Sequence, residues 1–336
     1  MLVEVQSGAA LCAAGVVGVR RGPLAALAAG SLGANLGLVG SPLATELCWE
    51  VVLPLSLALS IVSLPNKGSA RSLKRTGVAF AAGSLGSLFG ATGTFLACRR
   101  EAGLAAPLAS LFASYVGGSA NFFAVAKATR ASMTSALAAA DILAMALYFA
   151  CLQLLAGGAK APPTAEIRKK PLAALAAASA AVVVAKLVSR GRAGLETAIL
   201  AAAAYAARRA EARAPGLADL CLNVFYAAVG SRADLDVVAK APVALGLALS
   251  TLSLHAIFLT ATRVVAPSLF SKEEALVASN ACIGGPSTAA AFALAIGRQD
   301  LLIPAVVWGT WGYAIATAGG IHLNTLFQSW AAPAPF

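Results

Sequence analysis

Long apolar runs separated by short polar or basic breaks recur along the whole chain, and their length and uniform apolarity predict buried helices. Ser7 to Val19, closed by Arg20-Arg21, and Pro23 to Val39, which contains Asn35, are rich in Gly and Ala, as tightly packed membrane helices are. Trp49 to Leu64 is followed by Lys67, Arg71, Lys74 and Arg75, which read as the clearest basic loop of the first half. Gly77 to Cys98 carries Gly83, Gly86, Gly90 and Gly93 at near-helical spacing, a face for close helix packing and not a phosphate loop. Leu104 to Thr129 and Ser132 to Ala156 follow, the second with Asp141 deep inside it. After a hydrophilic stretch come Pro171 to Val188, Leu195 to Ala207, Leu217 to Gly230, Pro242 to Thr262 with His255, Glu274 to Ile296, and Leu301 to Leu323.

Two of these runs are interrupted in the same way. Ala278 to Ala291 reads ASNACIGGPSTAAA, and Ala113 to Ala126 reads ASYVGGSANFFAVA. Gly costs a helix ~1 kcal/mol and Pro ~3 kcal/mol, and Pro286 lacks the N–H that would bond back into the preceding turn. The second run is therefore expected to break at Gly284-Gly285 and restart at Pro286, a residue suited to a first helical position; the first is expected to restart near Ser119. At membrane depth, a break is tolerated only where its freed backbone groups line a cavity or meet other protein. Broken helices in matching halves are the best sequence pointer to a transporter site. The Gly-Gly pairs, Gly117-Gly118 and Gly284-Gly285, are separated by almost half of the 336-residue chain, which predicts an internal repeat. The expected organisation is a first membrane repeat over residues 1–156, a hydrophilic connection over 157–170, a second repeat over 171–323 and a C-terminal tail over 324–336.

The number of spans decides whether that repeat is inverted. If all twelve runs cross, the broken helices point the same way. If Leu195 to Ala207, marginal in length, does not cross, eleven spans leave the broken helices opposed, and the loop Lys and Arg divide more unevenly between the two sides. The eleven-span reading places the amino terminus on the non-cytoplasmic side.

Composition narrows the class. Of the residues 59% are hydrophobic and 12% charged, with a mean hydropathy of +0.81, against roughly 25% charged in soluble domains. The fold class is thus all-α, a polytopic membrane protein with room for about ten to twelve helices. The net charge of +11 sits in short clusters between apolar runs and forms no basic stripe interleaved with aromatics, so nucleic acid is not an expected partner. Six cysteines (Cys12, Cys48, Cys98, Cys151, Cys221, Cys282) without CxxC spacing, and two histidines, exclude a zinc or disulfide framework. No signal peptide is expected from residues 1 to 19, and no cofactor. The expected partners are the lipid bilayer, a small organic anion and, as an open alternative, a second copy of the chain. The plasma membrane is the expected location, or a plastid membrane if the source is a photosynthetic eukaryote.

The stretch Asn223 to Leu323, with NVFYAAVGSRADL, His255 in STLSLHAIF, ASNACIGGPSTAAAFALAIG and VVWGTWGYAIATAGGIHL, resembles the YjcL-like family of membrane proteins of unknown function. LPLSLALSIVSL, YVGGSANFFAVAKA and AAADILAMALYF extend the resemblance over most of the chain. That family is in turn similar to the superfamily of bile-acid sodium symporters and sodium/proton antiporters. The resemblance implies two inverted repeats, a core with two crossing discontinuous helices, and a panel against which the core moves. It supplies no substrate. Val62-Ser63-Leu64-Pro65 departs from the pattern, which would place an acidic residue after the long apolar run.

Breaking a helix exposes a positive N-terminal and a negative C-terminal end, each equivalent to about half a charge. The half-helix from Pro286 presents Ser287 and Thr288, and the one from Ser119 presents Asn121; these ends would receive a carboxylate. Carbonyls before Gly117-Gly118 and Gly284-Gly285, with Ser279 and Asn280, are hard ligands for sodium. The same small polar residues would equally serve as caps, or let helices cross closely. Asp141 sits inside an apolar span, where a charge costs at least ~2.5 kcal/mol. It is a candidate sodium ligand with Asn121, Ser279 and Asn280, or a proton carrier, or a buried hydrogen-bond anchor. His255 is a proton relay or a structural histidine. Lys127 reads as interfacial or, alternatively, as facing a substrate anion, and His322 reads as interfacial. The functional expectation is a secondary transporter for a small, anionic organic solute, coupled to sodium or protons, and not an enzyme. A non-transporting scaffold and an intramembrane hydrolase using Ser279 or Cys282 with His255 are the competing readings; no HExxH or GxSxG is present.

Overall fold

The computed structural model describes residues 2–63, 70–98, 100–157, 170–190, 193–207, 214–232 and 242–331, and among them every regular element is helical. In chain order these are α1 (Leu2–Arg21), α2 (Pro23–Asn35), α3 (Pro42–Leu47), a π-helical turn (Cys48–Val52), α4 (Leu53–Val62), α5 (Ala70–Ala97), α6 (Ala105–Gly117), α7 (Ser119–Thr129) and α8 (Thr134–Ala156). The second half holds α9 (Pro171–Ser189), α10 (Ala193–Ala207), α11 (Pro215–Ser231), α12 (Pro242–Val265), α13 (Lys272–Ala295) and α14 (Leu302–Trp330). Six helical stretches are long and apolar enough to cross a bilayer: Pro42–Val62, Ala70–Ala97, Ala136–Ala156, Pro171–Ser189, Pro242–Val265 and Gln299–Trp330. The chain is an all-α polytopic membrane protein. Most of the expected 157–170 connection, with Lys67, Arg208, Arg209 and Arg213, lies outside the described residues.

Two compact units form, and each draws on both halves of the sequence. One comprises Met1–Ser69, Phe149–Asp234 and Ala290–Val306, the other Ala70–Tyr148, Leu235–Ala289 and Val307–Phe336. The repeats expected from the sequence are thus not the compact units.

In the first unit α1 packs on α2 and α11, α2 on α11, α4 on α9, α10 and α11, and α9 on α10. Exchanging α1 with α9, α2 with α10 and α4 with α11 maps this set of pairs onto itself. Small residues make the contacts close. A β-carbon on Gly30 would strike the backbone of Ala227, and one on Gly230 the backbone of Leu27. At 1.5 Å per residue, α2 and α10 are about 20 Å long against a hydrocarbon core of about 30 Å, and these short helices occupy matching places in the two halves. The run expected to continue to Val39 stops at Asn35, because the chain turns back there: the Leu38 N–H donates to the Gly33 carbonyl at 2.8 Å.

In the second unit α5 lies along α12, and the predicted glycine face makes that contact. β-carbons on Gly86 and Gly93 would come within 3.0 Å of the His255 carbonyl oxygen and 2.9 Å of Leu254, and one on Gly90 would strike the Thr251 carbonyl. Arg71, Lys74 and Arg75, expected in a loop, belong instead to the first turns of α5. The reason is a pairing with a distant part of the chain: Arg75 grips both carboxylate oxygens of Glu274 at 3.2 and 2.9 Å and the Ser268 carbonyl at 3.0 Å. Glu274 in turn accepts from the Ser271 N–H at 2.6 Å while Ser271 Oγ accepts from the Glu274 N–H at 3.2 Å, a capping box that starts α13 two residues before its expected beginning. The expected tail from 324 onward is helical up to Trp330, because Phe327 is fully buried, its ring stacked on Phe95 at 4.4 Å.

Candidate functional site

All the site residues singled out from the sequence fall within the second unit. Helix α6 ends at Gly117, Gly118 takes φ 75 and ψ 171, and α7 starts at Ser119. A residue with a β-carbon adopts that φ only with strain, so glycine is required where the chain steps between the half-helices. The Gly118 N–H still reaches the Ser114 carbonyl at 2.7 Å, and the Asn121 side chain closes the gap, its Nδ2 donating to the Gly117 carbonyl at 2.6 Å. Thr317 Oγ1 donates to the other end of that amide, Oδ1, at 2.6 Å. Asn121 is therefore engaged at both ends, holding the first break to α14.

The second break falls at Gly285, with φ 81 and ψ −172 inside α13, and the helix resumes at Pro286. Thr288 Oγ1 donates to the Gly285 carbonyl at 3.2 Å, capping the break from the far side. Gly309 and Gly312 of α14 allow the close approach that both breaks need: a β-carbon on Gly309 would lie 2.5 Å from Pro286 Cα, and one on Gly312 would overlap the Val116 carbonyl.

The two breaks face each other. A β-carbon on Gly118 would lie 3.7 Å from the Gly284 carbonyl oxygen and 3.5 Å from the Tyr313 hydroxyl, and one on Gly285 would lie 2.9 Å from the same hydroxyl. Tyr313 of α14 thus sets a phenol oxygen between the two interruptions.

Asp141 on α8 is 1% exposed and accepts from Ser114 Oγ at 2.8 Å, with the Tyr115 and Ser119 hydroxyls close by. Its carboxylate therefore flanks the first break from both sides. Next to the second break, Asn280 Oδ1 is buried with no hydrogen-bond partner among the described residues, while Asp141 Oδ1 lies by the Tyr115 hydroxyl. These are hard oxygens that a sodium ion would accept as ligands, and leaving such groups unpaired costs ~1–3 kcal/mol each. Ser279, by contrast, is engaged: its Oγ lies 2.9 Å from His255 Nε2 and 2.8 Å from the Tyr148 hydroxyl. Ser287 is partly exposed. Lys127 and His322 are exposed. Cys282 is buried beside Ser84 and the Phe80 carbonyl, with Sγ 3.8 Å from Ser84 Oγ, and His255 bonds to serines and not to this thiol.

Sequence reasoning missed Tyr313, Thr317, Ser114, Ser87 and Tyr148. One signal for the first two was present. Gly309, Gly312, Ala316 and Gly320 recur at helical spacing in α14, and a helix with a small-residue face that long must lie against something narrow, here the two breaks.

The description "Protein of unknown function (DUF819)" matches residues 15–207 and 173–330. The chain is also 27% identical over 361 aligned positions, covering 92% of its length and 90% of the relative's, to the uncharacterized membrane protein YjcL of Bacillus subtilis (strain 168). These matches run through both breaks, and the relative is itself a membrane protein, in keeping with an integral, multi-pass protein. The chain belongs to the membrane-protein family described as "Protein of unknown function (DUF819)".

Proposed function

We propose that the chain is a secondary active transporter that moves a small organic anion, coupled to sodium or protons, by alternating access. The observation that carries this reading is the meeting of two helix breaks, at Gly118 and Gly285, around the Tyr313 hydroxyl within one compact unit. The breaks also differ in charge. The first has the Asp141 carboxylate beside the start of α7, which favours a cation there. Helix α14, which lines the second break, carries no acidic residue, and the half-helix from Pro286 with Ser287 and Thr288 is the better place for a carboxylate. Asp141 and Asn280 are the sodium ligands of this reading; Asn121 and Ser279 support the breaks from behind.

The test is uptake of labelled organic anions by proteoliposomes, with and without a sodium or proton gradient, for the wild type, Asp141→Asn and Asn280→Ala. Gradient-driven accumulation in the wild type, lost in both variants at equal reconstitution, is the expected result. Accumulation indifferent to either gradient removes the coupling ion from the mechanism, and no uptake across a broad panel replaces the transporter by a scaffold.

A further inference from the structure

The two arms of the first break, α6 and α7, pack on each other, and both can be followed against α14. Read backward from the break, α6 climbs toward the end of α14. A β-carbon on Gly312 would overlap the Val116 carbonyl, one on Gly319 would lie 3.2 Å from the Phe112 ring, and one on Gly320 would lie 3.0 Å from Ala113 Cβ and 3.1 Å from the Ala109 carbonyl oxygen. Further on, Gln328 Nε2 donates to the Ala102 carbonyl at 3.5 Å, just before α6 begins. Read forward, α7 climbs the same way: Thr317 Oγ1 donates to Asn121, and a Gly320 β-carbon would also lie 2.7 Å from Val125 Cγ2. Ala109, Ala113, Val116, Val125 and Ala316 accordingly form one buried cluster. A helix that ran straight on past Gly118 would carry Val125 about 10 Å toward the start of α14. Val125 lies instead beside Gly320, which is as many residues beyond Tyr313 as Val125 is beyond Gly118, in the direction from which α6 came. The chain then returns to the root of α6, where Ser132 Oγ donates to the Gly103 carbonyl at 3.5 Å.

We infer that α6 and α7 form a re-entrant hairpin whose exposed arm lines a water-filled path: the chain enters the bilayer, turns at Gly118 about halfway through and leaves on the side from which it came, and the open face of α7 carries water from that side down to the turn. The 11 residues of α7 span about 16 Å, roughly half of a hydrocarbon core of about 30 Å. The side is that of the end of α5, because only a short link separates α5 from α6. The start of α5, held to Glu274 at the start of α13, faces the other side. The run from Leu104 to Thr129 thus adds no crossing of its own, and α8 starts from the side on which α5 ended.

The water follows from the backbone. The first N–H groups of α7, at Ser119 and Ala120, have no carbonyl of their own helix to bond. Such backbone at mid-bilayer is tolerated only where protein buries it or where it lines a water-filled cavity. Ala120 is exposed and Ser119 half-buried, so protein does not close over this turn. From there Phe123, Ala124, Lys127 and Ala128 continue the exposed face to the root of the hairpin, while Asn121, Phe122, Val125 and Ala126 are buried. Lys127 is the only charged residue of α7, and the exposed Arg130 follows it; Arg100 and Glu101 at the root offset each other. The mouth of the path is therefore basic and favours anions over cations. Passage of an organic anion along it rests on the transport reading above, whereas the hairpin and its water do not.

The test is labelling of the full chain by a membrane-impermeant maleimide at alkaline pH, in right-side-out and in inverted membrane vesicles, with each site read by peptide mass spectrometry. Native Cys98 marks the root of the hairpin; Ser132→Cys marks its exit, and Lys272→Cys the opposite side, both at exposed positions. Cys98 and Ser132→Cys are expected to react in the same vesicles, and Lys272→Cys in the others. Reaction of Ser132→Cys together with Lys272→Cys overturns the hairpin. For the path, Ala120→Cys, Ala124→Cys and Ala128→Cys are compared with Ile257→Cys, an exposed position in the middle of α12. Thiols react as thiolates, which form in water and not in lipid, so the three α7 positions should react from the Cys98 side about tenfold faster than Ile257→Cys or more. Rates at Ala120→Cys and Ala124→Cys no higher than at Ile257→Cys overturn the water path, and Ala124→Cys alone decides if Ala120→Cys does not fold. At Ala124→Cys a negatively charged thiosulfonate should react faster than a positively charged one, and Lys127→Gln should lower that ratio severalfold; an unchanged ratio overturns the basic mouth. No solute is used, so a protein that transports nothing can still show the hairpin, and a transporter can still fail to show it.

Discussion

Replacing Gly309 by alanine tests whether α14 really sits against the second break. The added methyl carbon would lie 2.5 Å from Pro286 Cα, 2.6 Å from Pro286 N and 3.0 Å from the Gly285 carbonyl carbon. Non-bonded carbons rest about 3.5–4.0 Å apart, so α14 and the restart of α13 must separate by about 1 Å. All three obstructing atoms are backbone, and no rotamer change relieves the overlap. Overpacking of this kind costs ~1–3 kcal/mol, and the expected cost is toward the upper end. Alanine also gains ~1 kcal/mol over glycine as a helix former, which would blur the result in a single variant. Gly246→Ala in α12 removes that ambiguity, because a β-carbon there meets nothing within 4 Å. The propensity gain is common to both, and their difference isolates the steric term, ~1–3 kcal/mol. Unfolding of the two purified variants in the same detergent, followed by intrinsic fluorescence, should place Gly309→Ala below the wild type and Gly246→Ala at or above it. Coincident unfolding of the two variants would refute the close approach of α14 to Pro286.

Asn121→Ala strands the Gly117 carbonyl and the Thr317 hydroxyl, at a cost of ~1–3 kcal/mol, and a double-mutant cycle with Thr317→Val in detergent unfolding should be clearly non-additive. Additive losses would mean that the amide does not bridge them. Gly118→Ala and Gly285→Ala both force a β-carbon into positive φ, at ~1–3 kcal/mol each, but only Gly285→Ala also presses on Tyr313, at 2.9 Å. Tyr313→Phe should therefore rescue part of the thermal loss of Gly285→Ala and little of that of Gly118→Ala. Burial, with Glu101 adding to it, holds the Cys98 thiol above its ordinary value of 9.0, so its thiolate is scarce at neutral pH. Maleimide labelling followed by mass spectrometry should show Cys98 reacting more slowly than free cysteine at neutral pH, and its rate rising about tenfold per pH unit through pH 9.

The breaks were legible because their cause is local. Glycine-glycine, and glycine before Pro286, disfavour a continuous helix whatever surrounds them, and the restarts at Ser119 and Pro286 fall where the sequence puts them. The glycine face of α5 was legible for a similar reason, since a row of side-chain-free positions has few uses in a span other than contact. What was not legible depends on pairs far apart in sequence. Arg71, Lys74 and Arg75 look like a loop until Glu274, at the start of another helix, turns the segment into an anchored helix beginning. The hydrogen bonds linking Tyr148, Ser279, His255 and Ser87 draw one residue from each of four helices, and two of the four, Tyr148 and Ser87, are hydroxyls that no spacing in the sequence marks.

Helix α14 ties these observations together. It meets Pro286 through Gly309, Val116 through Gly312, both breaks through Tyr313, and Asn121 through Thr317. A movement in which either half-helix swings alone would leave the Gly117 carbonyl or the Gly285 turn without its partner, inside a unit where water is scarce. Each group so orphaned costs ~1–3 kcal/mol, and several would be orphaned together. A movement that carries α6, α7, α13 and α14 as one body costs none of these contacts. For a carrier built on this crossing, α6, α7, α13 and α14 are thus cheapest to move together, with the breaks serving as a fixed binding place and not as hinges.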